Sequence, residues 1–126
     1  MREKVATVIF INKNKEILLY LRDDKPTIHY PNMWSLIGGH LEKGENLIQT
    51  LKREIKEEID YDLKKANFLG IMDDKVGNDV YIYKSNIDKK LEELKLTEGQ
   101  MLNFFNFDNL AELNIPAPLK RFFFGK

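Results

Sequence analysis

The segment "GGHLEKGENLIQTLKREIKEEIDY", Gly38 to Tyr61, decides how this chain is read. Its second half places apolar residues at Leu47, Ile48, Leu51, Ile55 and Ile59, the spacing of a helix with one buried stripe. Asn46 stands where an N-cap belongs, and Gln49 follows three residues later as its reciprocal partner, so a helix is expected from Leu47 to about Ile59. Glu54, Glu57 and Glu58 flank the stripe, while Gln49, Lys52, Arg53 and Lys56 fall toward the opposite side. Of the three carboxylates only Glu57 has a cation at helical-neighbour spacing, Arg53 four positions earlier. A like-charge pair on a helix costs roughly a few tenths of a kcal/mol, so the free helix gains nothing from the crowding. Oxygen ligands clustered beside a buried seam suit a hard cation such as Mg2+, which keeps several waters and is shared with substrate phosphates. The competing reading is a solvated acidic face.

Outward from that helix the chain alternates between strands and helices without a regular βαβ rhythm. "KVATVIFI" (Lys4 to Ile11) and "EILLYLR" (Glu16 to Arg22) read as a hairpin across the turn-rich "NKNKE". "MWSLI" reads as one short strand entering Gly38 and Gly39. Downstream, "NFLGIMDD" and "DVYIYKSNI" form a second hairpin around "KVGN", and "DKKLEELKLTEGQ" is a charged connection with a helical turn. "MLNFFNF" is a strand, "DNLAEL" a short helix and "APLKRFFFG" a last helix. These elements predict an α/β protein with a mixed sheet packed between helices.

With 126 residues the chain has the size of one domain, taken as residues 1–126, and can build one core. Twenty basic residues balance twenty acidic ones, which argues against a duplex nucleic-acid partner, since that needs a basic surplus. The absence of cysteine removes disulfides, thiolate catalysis and sulfur metal sites. Two histidines are too few for a histidine-rich zinc centre. No apolar run is long enough to span a bilayer and no secretory signal is visible, so a cytoplasmic protein without a membrane partner is expected.

The quoted segment resembles the signature of the Nudix hydrolase family. Gly39 opens the pattern, Glu45 follows after five residues, and after seven more come Arg53, Glu54, Ile55, Glu57 and Glu58. The preceding "MWSLIGG" also resembles the family's approach to this motif. Three positions depart from it: Asp60 stands for glycine, Tyr61 for an aliphatic residue, and Ile37 for a common proline. The first bears on helix termination, which often needs positive φ, and none of the three is a ligand position. The resemblance implies a Nudix-type α/β/α sandwich and hydrolysis of a phosphoanhydride in a nucleoside diphosphate-linked substrate, with Mg2+, or Mn2+ as an alternative.

Carried over residue by residue, the resemblance makes Glu57 and Glu58 metal ligands and Glu54 either a third ligand or the general base. Arg53 would orient Glu54, Glu45 would brace the loop with Gly39, and the Gly38 carbonyl is a further candidate ligand. Glu98, in "KLTEGQMLNFF", lies at a strand entrance where the family places a carboxylate that reaches the metals as ligand or base. Arg22 is a candidate phosphate ligand. Trp34 and Tyr81, with Tyr83, are candidates for stacking a base, although core packing competes for each. "FFNF" and "RFFF" read as packing residues, the second also as a homodimer contact.

The absence of an added domain points toward the MutT-like branch and a nucleoside triphosphate. "KVGND" (Lys75 to Asp79) holds neither the proline associated with ADP-ribose nor the tyrosine associated with dinucleotides. The alternatives are a nucleotide-sugar or dinucleotide pyrophosphatase and a non-catalytic nucleotide sensor.

Overall fold

Strand β1 (Glu3–Ile11) is β-branched and apolar on both sides. Ala6, Val8 and Phe10 face one core cluster, and Val5, Ile9 and Ile11 face another, so the sequence fits only a strand covered on both faces. The computed structural model describes residues 2–125. Along the whole of β1 runs β6 (Asn78–Asn86), parallel, from Glu3↔Asn78 to Ile11↔Asn86. The other edge of β1 is shared between two partners. β4 (Ile37–His40) takes Val5 to Val8, and β2 (Glu16–Leu21) meets β1 only at Ile11↔Ile17.

The predicted first hairpin therefore exists at its turn and then splays. The local turn residues bring the strands together, but the distant Gly38–Gly39 segment takes the edge of β1 beyond that point. β2 pairs instead with β7 (Met101–Asn106), from Glu16↔Asn106 to Leu21↔Met101, and with the two-residue β3 (Trp34–Ser35). The single strand expected over "MWSLI" is thus divided between β3 and β4, with buried Leu36 as the crossing point. β5 (Asn67–Asp73) pairs antiparallel with β6, as its sequence predicts, and ends the sheet.

Helix α1 (Leu47–Ile59) has the predicted bounds and cap. Gln49 N donates to Asn46 Oδ1 and Asn46 N to Gln49 Oε1, both at 2.9 Å. Leu51, Ile55 and Ile59 are fully buried against Ala6, Val8, Phe10 and Ile37. Each such side chain contributes roughly 1.5–3 kcal/mol, which outweighs the tenths that charge crowding costs the helix. The stop is at Asp60, left-handed at φ 55 and ψ 43, with its N–H on the Lys56 carbonyl at 3.1 Å. The opposite sheet face is covered by a 3₁₀ turn (Phe107–Glu112) and α2 (Ala117–Phe124), whose Leu110 and Leu119, with Ile115, pack on Ile9, Leu19, Val80 and Ile82. The predicted α/β/α layering holds. Among the described residues no helix is long and apolar enough to cross a membrane.

Candidate active site

A cleft of about 490 Å³ opens where β2 and β4 part from their common neighbour β1. Tyr20 and Ser35 line one side of that parting, and Thr7, Gly38 and Gly39 the other. Glu54, Glu58 and Glu98 are in its wall, together with Arg22. Beyond them the lining turns apolar, with Val5, Leu36, Met72, Val80 and Leu119, and is rimmed by Asp74 and Asn78.

Gly39 explains how a carboxylate enters this backbone. A Cβ at Gly39 would land on the Glu54 carboxylate, and one at Gly38 would land on the Ala6 carbonyl. The double glycine is therefore a close-packed cradle in which β4 lies on β1 while Glu54 rests on β4.

Arg53 holds the outer half of the acidic cluster. Its Nε and Nη2 donate to the two Glu45 oxygens at 2.6 and 3.0 Å, a bidentate pair. Nη1 donates to Glu54 at 2.8 Å and to Glu57 at 3.3 Å. Helical-neighbour spacing missed the contact to the adjacent Glu54 and put Arg53 on the wrong side. A long guanidinium can turn back along the helix and reach carboxylates from three directions. Glu45 also accepts from Thr50 Oγ1 at 2.8 Å and from the Glu42 N–H at 3.0 Å. Arg53 first, then Thr50 and Glu42, hold its carboxyl down at about 2.

The inner half is the reverse. Glu58 is buried, and burial first, then the neighbouring Glu98 carboxylate and the Glu54 charge, push it up to about 8. Glu54 is also raised, by burial against the opposing pull of Arg53. Glu98 reaches this place because its turn is tied on both sides. Thr97 N donates to the Glu58 carbonyl at 3.0 Å and Thr97 Oγ1 to the Glu57 carbonyl at 3.1 Å, using groups that the end of α1 leaves free. Gln100 N donates to the Leu21 carbonyl, and its side chain to the Arg22 carbonyl, both at 2.8 Å. Gly99, at φ 86, sits where a Cβ would come within 2.7 Å of the Tyr20 ring and the Leu21 carbonyl.

The other residues singled out from the sequence are dispersed. Arg22 lines the cleft and donates to Tyr20 Oη at 2.9 Å. Glu57 points outward to Arg53, with its side chain 58% exposed, and is not in the cleft wall. Trp34 packs edge-on against Phe105 at 4.8 Å, and Tyr81 lies beneath Lys4 beside Phe68, so neither lines the cleft. Core packing claims both aromatics. Sequence reasoning missed Thr97, Gln100 and Tyr20, whose roles depend on contacts far apart in the chain, and it missed the apolar end of the cleft altogether.

The donor set fits a hard divalent cation. It consists of carboxylate oxygens, and burial beside Glu98 and Glu54 holds one carboxyl, Glu58, well above the usual carboxylate range, where an added positive charge favours ionisation. Among the described residues no three Asp, Glu or His side chains are already gathered as a ligand cage. Glu54 and Glu57 lean on Arg53, and Glu98 neighbours the buried Glu58.

Comparison with known proteins places this geometry. The sequence model of the NUDIX domain family matches residues 1–123. The 8-oxo-dGTP diphosphatase of Buchnera aphidicola subsp. Schizaphis graminum is 26% identical over 116 residues, spanning 87% of this chain and 82% of that protein. A putative 8-oxo-dGTP diphosphatase of Bacillus subtilis is 35% identical over 66 residues, which is 52% of this chain and 40% of that protein. In three dimensions the MutT protein from Methanosarcina mazei Go1 superposes with a TM-score of 0.85 at 18% identity, over 98% of this chain and 91% of that one.

Proposed function

This chain belongs to the NUDIX domain family and is a pyrophosphohydrolase, and we propose that it is a Mg2+-dependent enzyme acting on nucleoside triphosphates, 8-oxo-dGTP first among them. The observation that carries this reading is the two-ended cleft. Its acidic end holds Glu54, Glu58 and Glu98, and its other end offers an apolar floor of Val5, Leu36, Met72 and Val80 with a polar rim. A base fits the second end while the phosphates lie toward the first.

Glu58, Glu54 and Glu98 are the carboxylates that would hold the cation, with the Gly38 carbonyl as a further donor. Glu57, held by Arg53 as Glu54 is, joins them by turning its exposed side chain toward the cleft. A divalent cation bound there neutralises phosphate charge and lowers the pKa of a bound water. The chain's own residues do the rest. Arg53 fixes Glu54 at the cradle, the Thr97–Gln100 turn delivers Glu98, and Arg22 faces the cleft as a phosphate ligand. Either Glu54 or Glu98 takes the proton of the attacking water. Glu54 is held in place by a cation, and Glu98 comes from a turn clamped between α1 and β2.

The test is release of phosphate or pyrophosphate from a panel of nucleoside triphosphates, a nucleotide sugar and a dinucleotide, with and without Mg2+. Pyrophosphate from a triphosphate, dependent on Mg2+ and fastest for 8-oxo-dGTP, is the expected result. Preference for the nucleotide sugar or the dinucleotide overturns the substrate assignment, and tight nucleotide binding without turnover overturns the enzyme.

A further inference from the structure

β5 is the last strand of the sheet and among the described residues pairs only with β6. It nonetheless carries Phe68, Leu69 and Ile71 at 52%, 48% and 54% exposure. These are three of the six large apolar side chains exposed among the described residues, gathered on one edge strand. The register of β5 slips between Phe68 and Gly70, where Leu69 bulges out. Phe68 lies opposite Tyr83 and Ile71 opposite Tyr81, so the bulge brings both exposed side chains to the same face. The other face is occupied, since Phe122 of α2 lies against Gly70.

The sequence around this strand is charge-palindromic. Lys64 and Lys65 precede it and Asp73 and Asp74 close it, with Leu69 midway in "KKANFLGIMDD". Run antiparallel to itself about an axis at Leu69, the strand sets Lys64 against Asp74 and Lys65 against Asp73 of the other copy. The apolar residues then meet in the middle. The ends keep their signs after local pairing. Among the described residues Lys65 has no ion pair and Lys64 only Asp88 at 3.7 Å, while Lys84 lies across from Asn67. At the other end Glu3, Asp73, Asp74 and Asp79 outnumber Arg2, Lys4 and Lys75, although Asp74 also accepts from Val76 N and Asn78 in its own turn.

We infer that the β5 edge is a self-association surface on which a second copy of this chain docks antiparallel, its two-fold axis near Leu69. A parallel approach would oppose like charges at both ends and is selected against. A two-fold pairing consumes the edge of both copies, so it closes as a dimer and does not propagate. Three apolar side chains and two charge clusters cover less than the roughly 800 Å² per partner of a standard interface, so the dimer is weak, forming on the order of 100 µM.

The chain has no cysteine, which allows a clean test. Leu69→Cys places two sulfurs at the axis, where paired Cα atoms about 4.4–6.8 Å apart can form a disulfide. Under mild oxidant at 100 µM, Leu69→Cys is expected to cross-link at least tenfold faster than Met101→Cys, an equally exposed apolar position elsewhere. Sedimentation of the unmodified chain should show dimer rising with concentration. The Lys64→Glu/Lys65→Glu variant should shift that rise at least tenfold higher with turnover unchanged. Equal cross-linking rates at the two cysteines, or a monomer up to 1 mM (about ten times the concentration at which the dimer should form), overturn the proposal. So does a dimer indifferent to the lysine reversal, because the antiparallel arrangement rests on those charges.

Discussion

Glu45 and Glu58 stand at opposite ends of one acidic network and behave in opposite ways. Glu45 is tied by Arg53, Thr50 and the Glu42 N–H, and its carboxyl is held down at about 2. Glu58 is buried with Glu98 and Glu54 around it and is pushed up to about 8. The first is electrostatically finished within the protein and serves as scaffold. The second is complete only when something positive arrives. A motif read as one row of glutamates thus contains two kinds, and the same substitution should separate them.

Glu58→Gln should have the largest effect. It removes a carboxylate from the cleft and should lower turnover by orders of magnitude at saturating Mg2+ while leaving the metal-free protein folded. Wild-type turnover in this variant would erase the distinction between the two ends. Glu98→Gln comes next, with an expected loss of ten- to a thousandfold. A solvated glutamate, screened within about 10 Å, would change the rate less than twofold. A rate and Mg2+ dependence like the wild type's would remove the exposed Glu98 from the metal site and leave Glu54 as the base.

Stability against pH sharpens the contrast without any turnover. Glu58 has a folded value near 8 above an ordinary 4.5, so its contribution is full below about 4.5 and is lost as pH rises through 8. Glu45 has a depressed value, so its contribution is present above 4.5 and is lost as pH falls toward 2. Without metal, melting temperature should therefore decline between pH 5 and 8.5, and Mg2+ should flatten the decline. At pH 8, Glu58→Gln should raise the metal-free melting temperature and Glu45→Gln should lower it. Shifts of the same sign in both variants would break the comparison.

The helix at the centre of this site could be read from sequence almost residue by residue, because its cap, stripe and stop are local. Asn46, Gln49, Leu51, Ile55 and Asp60 act within a few positions of one another, and so does their physics. The gathering of Gly38, Glu54, Glu58 and Glu98 was suggested by resemblance, not by periodicity. What places them together is β4 displacing β2 along β1 and a turn docking on the end of α1. The same non-local packing drew Trp34 and Tyr81 away from the cleft. It also turned Arg53 toward the carboxylates that a helical wheel sets it apart from.

The smallest expected effect lies at the helix stop. Asp60 occupies the left-handed region at φ 55, a conformation glycine adopts freely and other residues adopt at a cost. Reading the sequence alone, the backbone gain of Asp60→Gly stands unopposed. The structure adds a counterweight, because Lys56 Nζ lies 3.1 Å from the Asp60 carboxylate and 3.2 Å from Asp62. That pair is half exposed, so it recovers little of the backbone cost, and Asp62 keeps Lys56 engaged when Asp60 is gone. The expected result is a rise in melting temperature of about 1–4 °C with turnover unchanged, since Asp60 is absent from the cleft wall. Asp60→Asn divides the two contributions, because asparagine tolerates the left-handed region and lacks the charge. If asparagine matches the wild type and glycine exceeds both, backbone strain governs this end of α1. If both variants melt lower, the Lys56 pair does, and Asp60 joins Glu45 among the carboxylates that the protein itself completes.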